Sequence, residues 1–154
     1  MGALHPRPCG WRSQASAQNS FLNQLTGQQC SYFYISGDKS QLAERLVSVD
    51  SQWNAPILWR SEFRNVLAQY LRKNILSLDE ILFIVQQAES LLTDNEFEIP
   101  SAHVMQLLSS SNCSAYDCEF VALAQYLNVT LVTEDKKILD EFPDIAKSLK
   151  SYFS

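Results

Sequence analysis

From residue 38 onward, apolar positions alternate between helical spacing and short β-like runs. Asp38, with Gln41 three residues on, can cap a helix whose apolar face is Leu42, Leu46 and Val49. The run Ala55-Pro56-Ile57-Leu58-Trp59 reads as a strand. Ser61 then opens a helix with Phe63, Val66, Leu67, Tyr70 and Leu71 on one side. Ser77-Leu78-Asp79-Glu80 is a capping box, followed at helical spacing by Ile81, Ile84, Val85, Ala88 and Leu92. Phe97-Glu98-Ile99 reads as a weak strand ending at Pro100, and Ser101 starts a helix through Val104, Met105 and Leu108. A second box, Ser114-Ala115-Tyr116-Asp117, heads a helix with Phe120, Val121, Ala124 and Leu127. Val129-Thr130-Leu131-Val132-Thr133, mostly β-branched, is the strongest strand signal, with a short helix following around 136–141. Such alternation predicts a parallel sheet covered by helices.

Composition changes this picture at one point. No Asp or Glu precedes Asp38, and residues 1–37 carry only Arg7 and Arg12, so the first stretch is +2 while the remainder is 10 − 17 = −7. Residues 1–20 have no apolar period and read as a disordered tail. A length of 154 residues fits one domain, and 46% apolar with 19% charged residues is globular. The net charge of −5 excludes a blanket basic surface for nucleic acid. Cys9, Cys30, Cys113 and Cys118 contain no C-x-x-C, which argues against a zinc ribbon or disulfide scaffold. Without a signal-like h-region or a long apolar run, the expectation is a cytoplasmic protein with no membrane contact.

Three acids share one address. Glu62 lies in a first helical turn after a strand, Asp117 is the acid of a capping box, and Asp135 follows the 129–133 strand where a helix begins. In an open α/β sheet these positions gather at the carboxyl ends of the strands. Each acid alone reads equally as a helix cap. Together they repel, by about 4 kcal/mol for a pair ~4 Å apart, unless a hard divalent cation sits between them. A bound cation of this kind suits phosphodiester hydrolysis. The two histidines, His5 and His103, lack the partners of a hydrolase triad. Trp53 and Trp59 are expected in the core, as are Tyr32, Phe33, Tyr34 and Tyr116 unless they form an aromatic patch.

The stretches 55–67, 114–124 and 131–139, around Glu62, Asp117 and Asp135, resemble in this order the later acidic motifs of PIN-domain proteins. The style is nearest the VapC-like ribonuclease toxins. The resemblance implies a three-layer α/β/α domain with a parallel central sheet over residues 32–150, preceded by an atypical segment, 1–31. It also implies a Mg²⁺- or Mn²⁺-dependent endoribonuclease acting on RNA, homodimeric and restrained by a cognate antitoxin. Glu62, Asp117 and Asp135 then match metal-site acids, and Ser114 and Thr133 match flanking hydroxyls that orient them. Arg60, Arg64 and Lys136, beside these acids, are candidates for RNA phosphate contact.

One departure sets a second expectation. The family's first strand ends in an Asp, and the corresponding place falls near Thr26 and Gly27, where no acid stands. The first strand is therefore expected to be missing or replaced. The alternative function is a catalytically impaired PIN-like module that binds antitoxin or RNA without cleaving. A third, a generic α/β ligand-binding protein, needs a pocket without converging acids. The acid-free start also suggests that residues 1–31 are not the ancestral beginning of the domain. The upstream DNA, read in three frames, would show an apolar strand ending in Asp if so.

Overall fold

A computed structural model of the chain describes residues 23–24 and 53–154. The expected tail over 1–20, the helix after Asp38 and the Tyr32–Tyr34 aromatics lie outside these residues. The strands are β1 (Asn23–Gln24), β2 (Trp53–Pro56), β3 (Glu96–Phe97), β4 (Leu131–Val132) and β5 (Ala146–Lys147). The helices are α1 (Trp59–Arg72), α2 (Leu78–Leu91), α3 (Ser101–Ser110), α4 (Ala115–Leu127), α5 (Lys136–Glu141) and α6 (Leu149–Tyr152).

All strand pairs are parallel. β1 pairs with β2 (Asn23 opposite Trp53), β2 with β3 (Ala55 opposite Glu96), and β4 with β5 (Leu131 opposite Ala146). The ladders form two sheets, β1-β2-β3 and β4-β5, and β1 lies close to β4 without a ladder between them, which sets the strands side by side in the order β3-β2-β1-β4-β5. The chain steps outward from β1 through β2 to β3, then crosses back to β4. Right-handed crossovers put those two directions on opposite faces. The α1–α2 and α3–α4 pairs thus form outer layers, making three layers, α/β/α, as expected. The order reverses at the β1/β4 boundary, the place where open α/β sheets bind ligands.

The first strand is replaced rather than missing. Two polar residues, Asn23 and Gln24, occupy its place beside β2.

β2 lies two residues earlier than its apolar run suggests, and Pro56 closes it. The Ala55 and Ile57 amides donate to β3, at Asn95 O (3.1 Å) and Phe97 O (2.9 Å). Proline's missing N–H falls on the alternate position, facing the side where β1 has already ended. Helix α1 accordingly begins at Trp59 instead of Ser61. The carbonyls of Ile57 and Leu58 already accept from Arg60, Ser61 and Glu62.

Both capping boxes form as expected, Ser77 with Glu80 and Ser114 with Asp117. Helix α3 turns differently from its apolar pattern. Val104 and Leu107 are buried, whereas Met105 is 62% exposed. Helix α4 is buried through Cys118 and Phe120–Ala124 because the sheet lies on one side and α3 on the other. Asn128, in the left-handed region at φ 55°, ends α4 and turns the chain into β4. β4 is shorter than the predicted strand, although the Leu131 and Thr133 amides both donate to β5 at 2.9 Å. Trp53, Trp59, Phe63 and Phe120 anchor the core, with the Trp59 and Phe63 rings 5.7 Å apart. Tyr116, expected inside, is 61% exposed.

Candidate active site

A cavity of about 260 Å³ opens where α1, α4 and the end of β4 meet. α1 contributes Glu62, Asn65, Val66 and Gln69, which is one helical stripe at i, i+3, i+4 and i+7. α4 contributes Asp117 and Phe120, and the segment after β4 contributes Thr133, Asp135 and Ile138. The three acids therefore line one cavity, as their shared address implies.

Each aspartate reaches the cavity through a capping role. Asp117 occupies the third position of α4, and its Oδ2 accepts from the Ser114 amide (2.9 Å) and the Ser114 hydroxyl (2.7 Å). Asp135 is the N-cap of α5, and its Oδ1 accepts from the Lys137 amide (2.8 Å) and the Ile138 amide (3.2 Å). Among the described residues the other oxygen of each carboxylate makes no hydrogen bond. Capping and ligand binding thus draw on different oxygens.

Thr133 is 1% exposed, and its Oγ1 accepts from the Asp135 amide at 3.1 Å, which holds the backbone that aims Asp135. Ser114 is the N-cap of α4 and fixes Asp117 in the same way. Lys136 is exposed at the first turn of α5, next to Asp135.

Arg60 and Arg64 lie roughly opposite Glu62 and Gln69 around α1, at 100° per residue, and neither lines the cavity. The Arg60 guanidinium grips Glu96 of β3 with two bonds, Nε–Oε1 at 2.6 Å and Nη2–Oε2 at 2.8 Å. It reaches Glu89 of α2 with a third, at 2.9 Å. The Trp59 indole N–H joins at Glu96 Oε1, 2.6 Å. The hydrogen bonds from Arg60 hold the Glu96 carboxyl below its usual range, against the opposing effect of partial burial. Those same bonds raise the Arg60 value. Arg64 sits 4.0 Å from Glu89 with its side chain 60% exposed. The arginine face of α1 is tied to its neighbours; the acid face is turned to the cavity.

Two buried thiols, Cys113 and Cys118, lie within electrostatic reach of Asp117. Burial pushes Cys113 up to about 11, with the Asp117 charge adding to the effect, and burial also raises Cys118. Both stay protonated and structural at neutral pH.

The sequence does not single out Asn65 and Gln69. Their signal was the spacing from Glu62, which puts three polar side chains on one flank of α1, away from Arg60 and Arg64.

The donor set is all oxygen, which suits a hard cation that keeps most of its water. Among the described residues, no three His, Cys, Asp or Glu side chains gather closely enough to hold one ion. The carboxylates surround the cavity without closing a cage. Glu62, Asp117 and Asp135 are the lining residues whose chemistry could hold such an ion, one or two at a time.

Fold and site together define an α/β/α protein with an acid-lined cleft at the carboxyl edge of a parallel sheet. The sequence matches the PIN domain over residues 30–146, and the chain belongs to that family, whose members are typically metal-dependent nucleases acting on RNA or DNA. Among solved structures it is similar to PAE2754 from Pyrobaculum aerophilum, with a TM-score of 0.68 at 13% identity. That match covers 88% of this chain and 90% of the other, and it shows the shared fold. No curated protein matches the sequence. Among the described residues no helix is long and apolar enough to cross a membrane.

Proposed function

We propose that this PIN domain is a divalent-metal-dependent endoribonuclease of the toxin–antitoxin type, with Glu62, Asp117 and Asp135 as its working acids. The observation that carries the reading is the convergence of three carboxylates, from three separate elements, on one cavity. A bound Mg²⁺ or Mn²⁺ would supply an acidified water and neutralise charge on the phosphate. Asp117 and Asp135 would hold such an ion, since the cap of each leaves one carboxylate oxygen over. Glu62, lining the same cavity, would take up the proton of the attacking water. Thr133 and Ser114 keep the aspartates aimed, and the Lys136 ammonium attracts the phosphate backbone. The same reading, through the family resemblance, makes the protein a cytoplasmic homodimer restrained by a cognate antitoxin.

The test is cleavage of single-stranded RNA with Mn²⁺, wild type against Asp117→Asn. Asparagine keeps an oxygen for the Ser114 cap, so the fold survives. We expect the variant to lose about a hundredfold or more in rate. Equal silence from both proteins ends the nuclease reading.

A second reading rests on its own observation. No acid precedes Asp38, so the edge next to β1 supplies no carboxylate from that stretch, and the described acids form no closed cage. On this reading the protein is a catalytically impaired module that binds antitoxin or RNA without cutting. Retained RNA binding with no cleavage at millimolar Mn²⁺ would favour it.

A further inference from the structure

The cavity is not chemically uniform. Three carboxylates line it, and among the described residues no Lys or Arg does. Against these described residues a bare phosphate meets only negative charge, so the charged part of a nucleotide enters beside a cation. The rest of the α1 wall is neutral. Asn65 and Gln69 stand one turn apart on the stripe that begins at Glu62, and both are exposed. Among the described residues neither side-chain amide has a hydrogen-bond partner. The amides of Gln125 and Asn112, by contrast, are engaged with His103 and Glu141. An Asn or Gln amide offers a donor and an acceptor side by side. Its complement is a neutral group of the same kind, which a nucleotide presents on its base edge and at the ribose 2′-hydroxyl.

We infer that Asn65 and Gln69 form a nucleoside subsite, which holds the uncharged part of the RNA residue whose phosphate lies at the carboxylates. This inference rests on the proposal that the site binds RNA, and it holds whether or not that RNA is cut. The amide pair selects among RNAs, while the acids supply the chemistry. The nucleoside lies toward the C-terminal end of α1 and the phosphate toward its first turn, where Glu62 sits.

The experiment compares Asn65→Ala/Gln69→Ala with its wild-type parent, both with Ca²⁺ in place of Mn²⁺ so that all three acids remain and cleavage is suppressed. Fluorescence anisotropy reads the binding of labelled rU, rA and rC oligomers and of the dU oligomer, with gel analysis verifying that the RNA stays intact. Alanine at exposed helical positions leaves the core untouched, and an unchanged melting temperature verifies this. Loss of two neutral hydrogen bonds predicts about tenfold weaker binding. If the 2′-hydroxyl is the group held, the variant loses the preference for rU over dU. If the base edge is held, it loses preference among rU, rA and rC. Equal affinity of variant and parent for every oligomer overturns the subsite, as does a parent that binds no single-stranded RNA. RNA binding that weakens in the alanine variant, alongside a wild type that never cleaves with Mn²⁺, sinks the nuclease reading and leaves this one standing.

Discussion

The Thr133 hydroxyl sits almost out of reach of solvent with the Asp135 amide as its donor. Valine has nearly the same shape but cannot accept that bond. Thr133→Val should cost about 1–2 kcal/mol, roughly 2–8 °C in melting temperature, and should loosen Asp135. Thr133→Ser keeps the bond and should recover activity, which a cleavage assay reads. A second residue to test is Glu96. Its carboxyl titrates below its ordinary value because Arg60 holds it. That stabilisation is fully present above the range of a free Glu, about pH 4.3, and is lost as pH falls through the folded value. Wild type should therefore lose melting temperature more steeply on acidification than Glu96→Gln. Glu119 runs the other way, because burial raises its pKa and its ionised form weighs against the fold. Glu119→Gln should raise the melting temperature at pH 7 by about 1 °C, with the gain fading in acid. At this scale the acids were legible because each sits beside a strong cap or strand signal. The Arg60 clamp was not, since its partners Glu89 and Glu96 lie 29 and 36 residues away.

Among elements, the helices with boxes at Ser77 and Ser114 could be read directly, since one short pattern sets both start and direction. Ser77→Ala removes the bond to Glu80 and should cost about 1 kcal/mol, or roughly 2–4 °C. RNA cleavage should not change, because the box is remote from the cavity residues. Strands were harder. β3, β4 and β5 each span two residues, and an alternating pattern needs about four to be recognised. β5 had no signal at all. Helix α3 shows the opposite failure, because Met105 and Leu107 are equally apolar and only the packing of α4 decides which turns inward.

For the whole molecule, the informative features are strand order and the polar pair that fills the first position. The layered class followed from strand–helix alternation, and the reversal beside β1 explains why the acids after β2, in the first turn of α4 and after β4 line one cavity. What no local pattern could reveal was that Asn23-Gln24, with none of the apolar character of an inner strand, would pair there. Placing a carboxylate just beyond it, as Thr26→Asp, should tighten Mn²⁺ binding by about tenfold or more, measurable by calorimetry. No change would mean that the acids already present supply all the affinity there is.

The double duty of Asp117 and Asp135 reaches beyond this chain. A descendant that gave up chemistry altogether would still need both, since helix ends must be finished whether or not anything is cut. Their presence in a related sequence is therefore a mark of foldability. The side chain to inspect for a living enzyme is the one at position 62, where no side chain caps the helix start and neither capping motif dictates an acid.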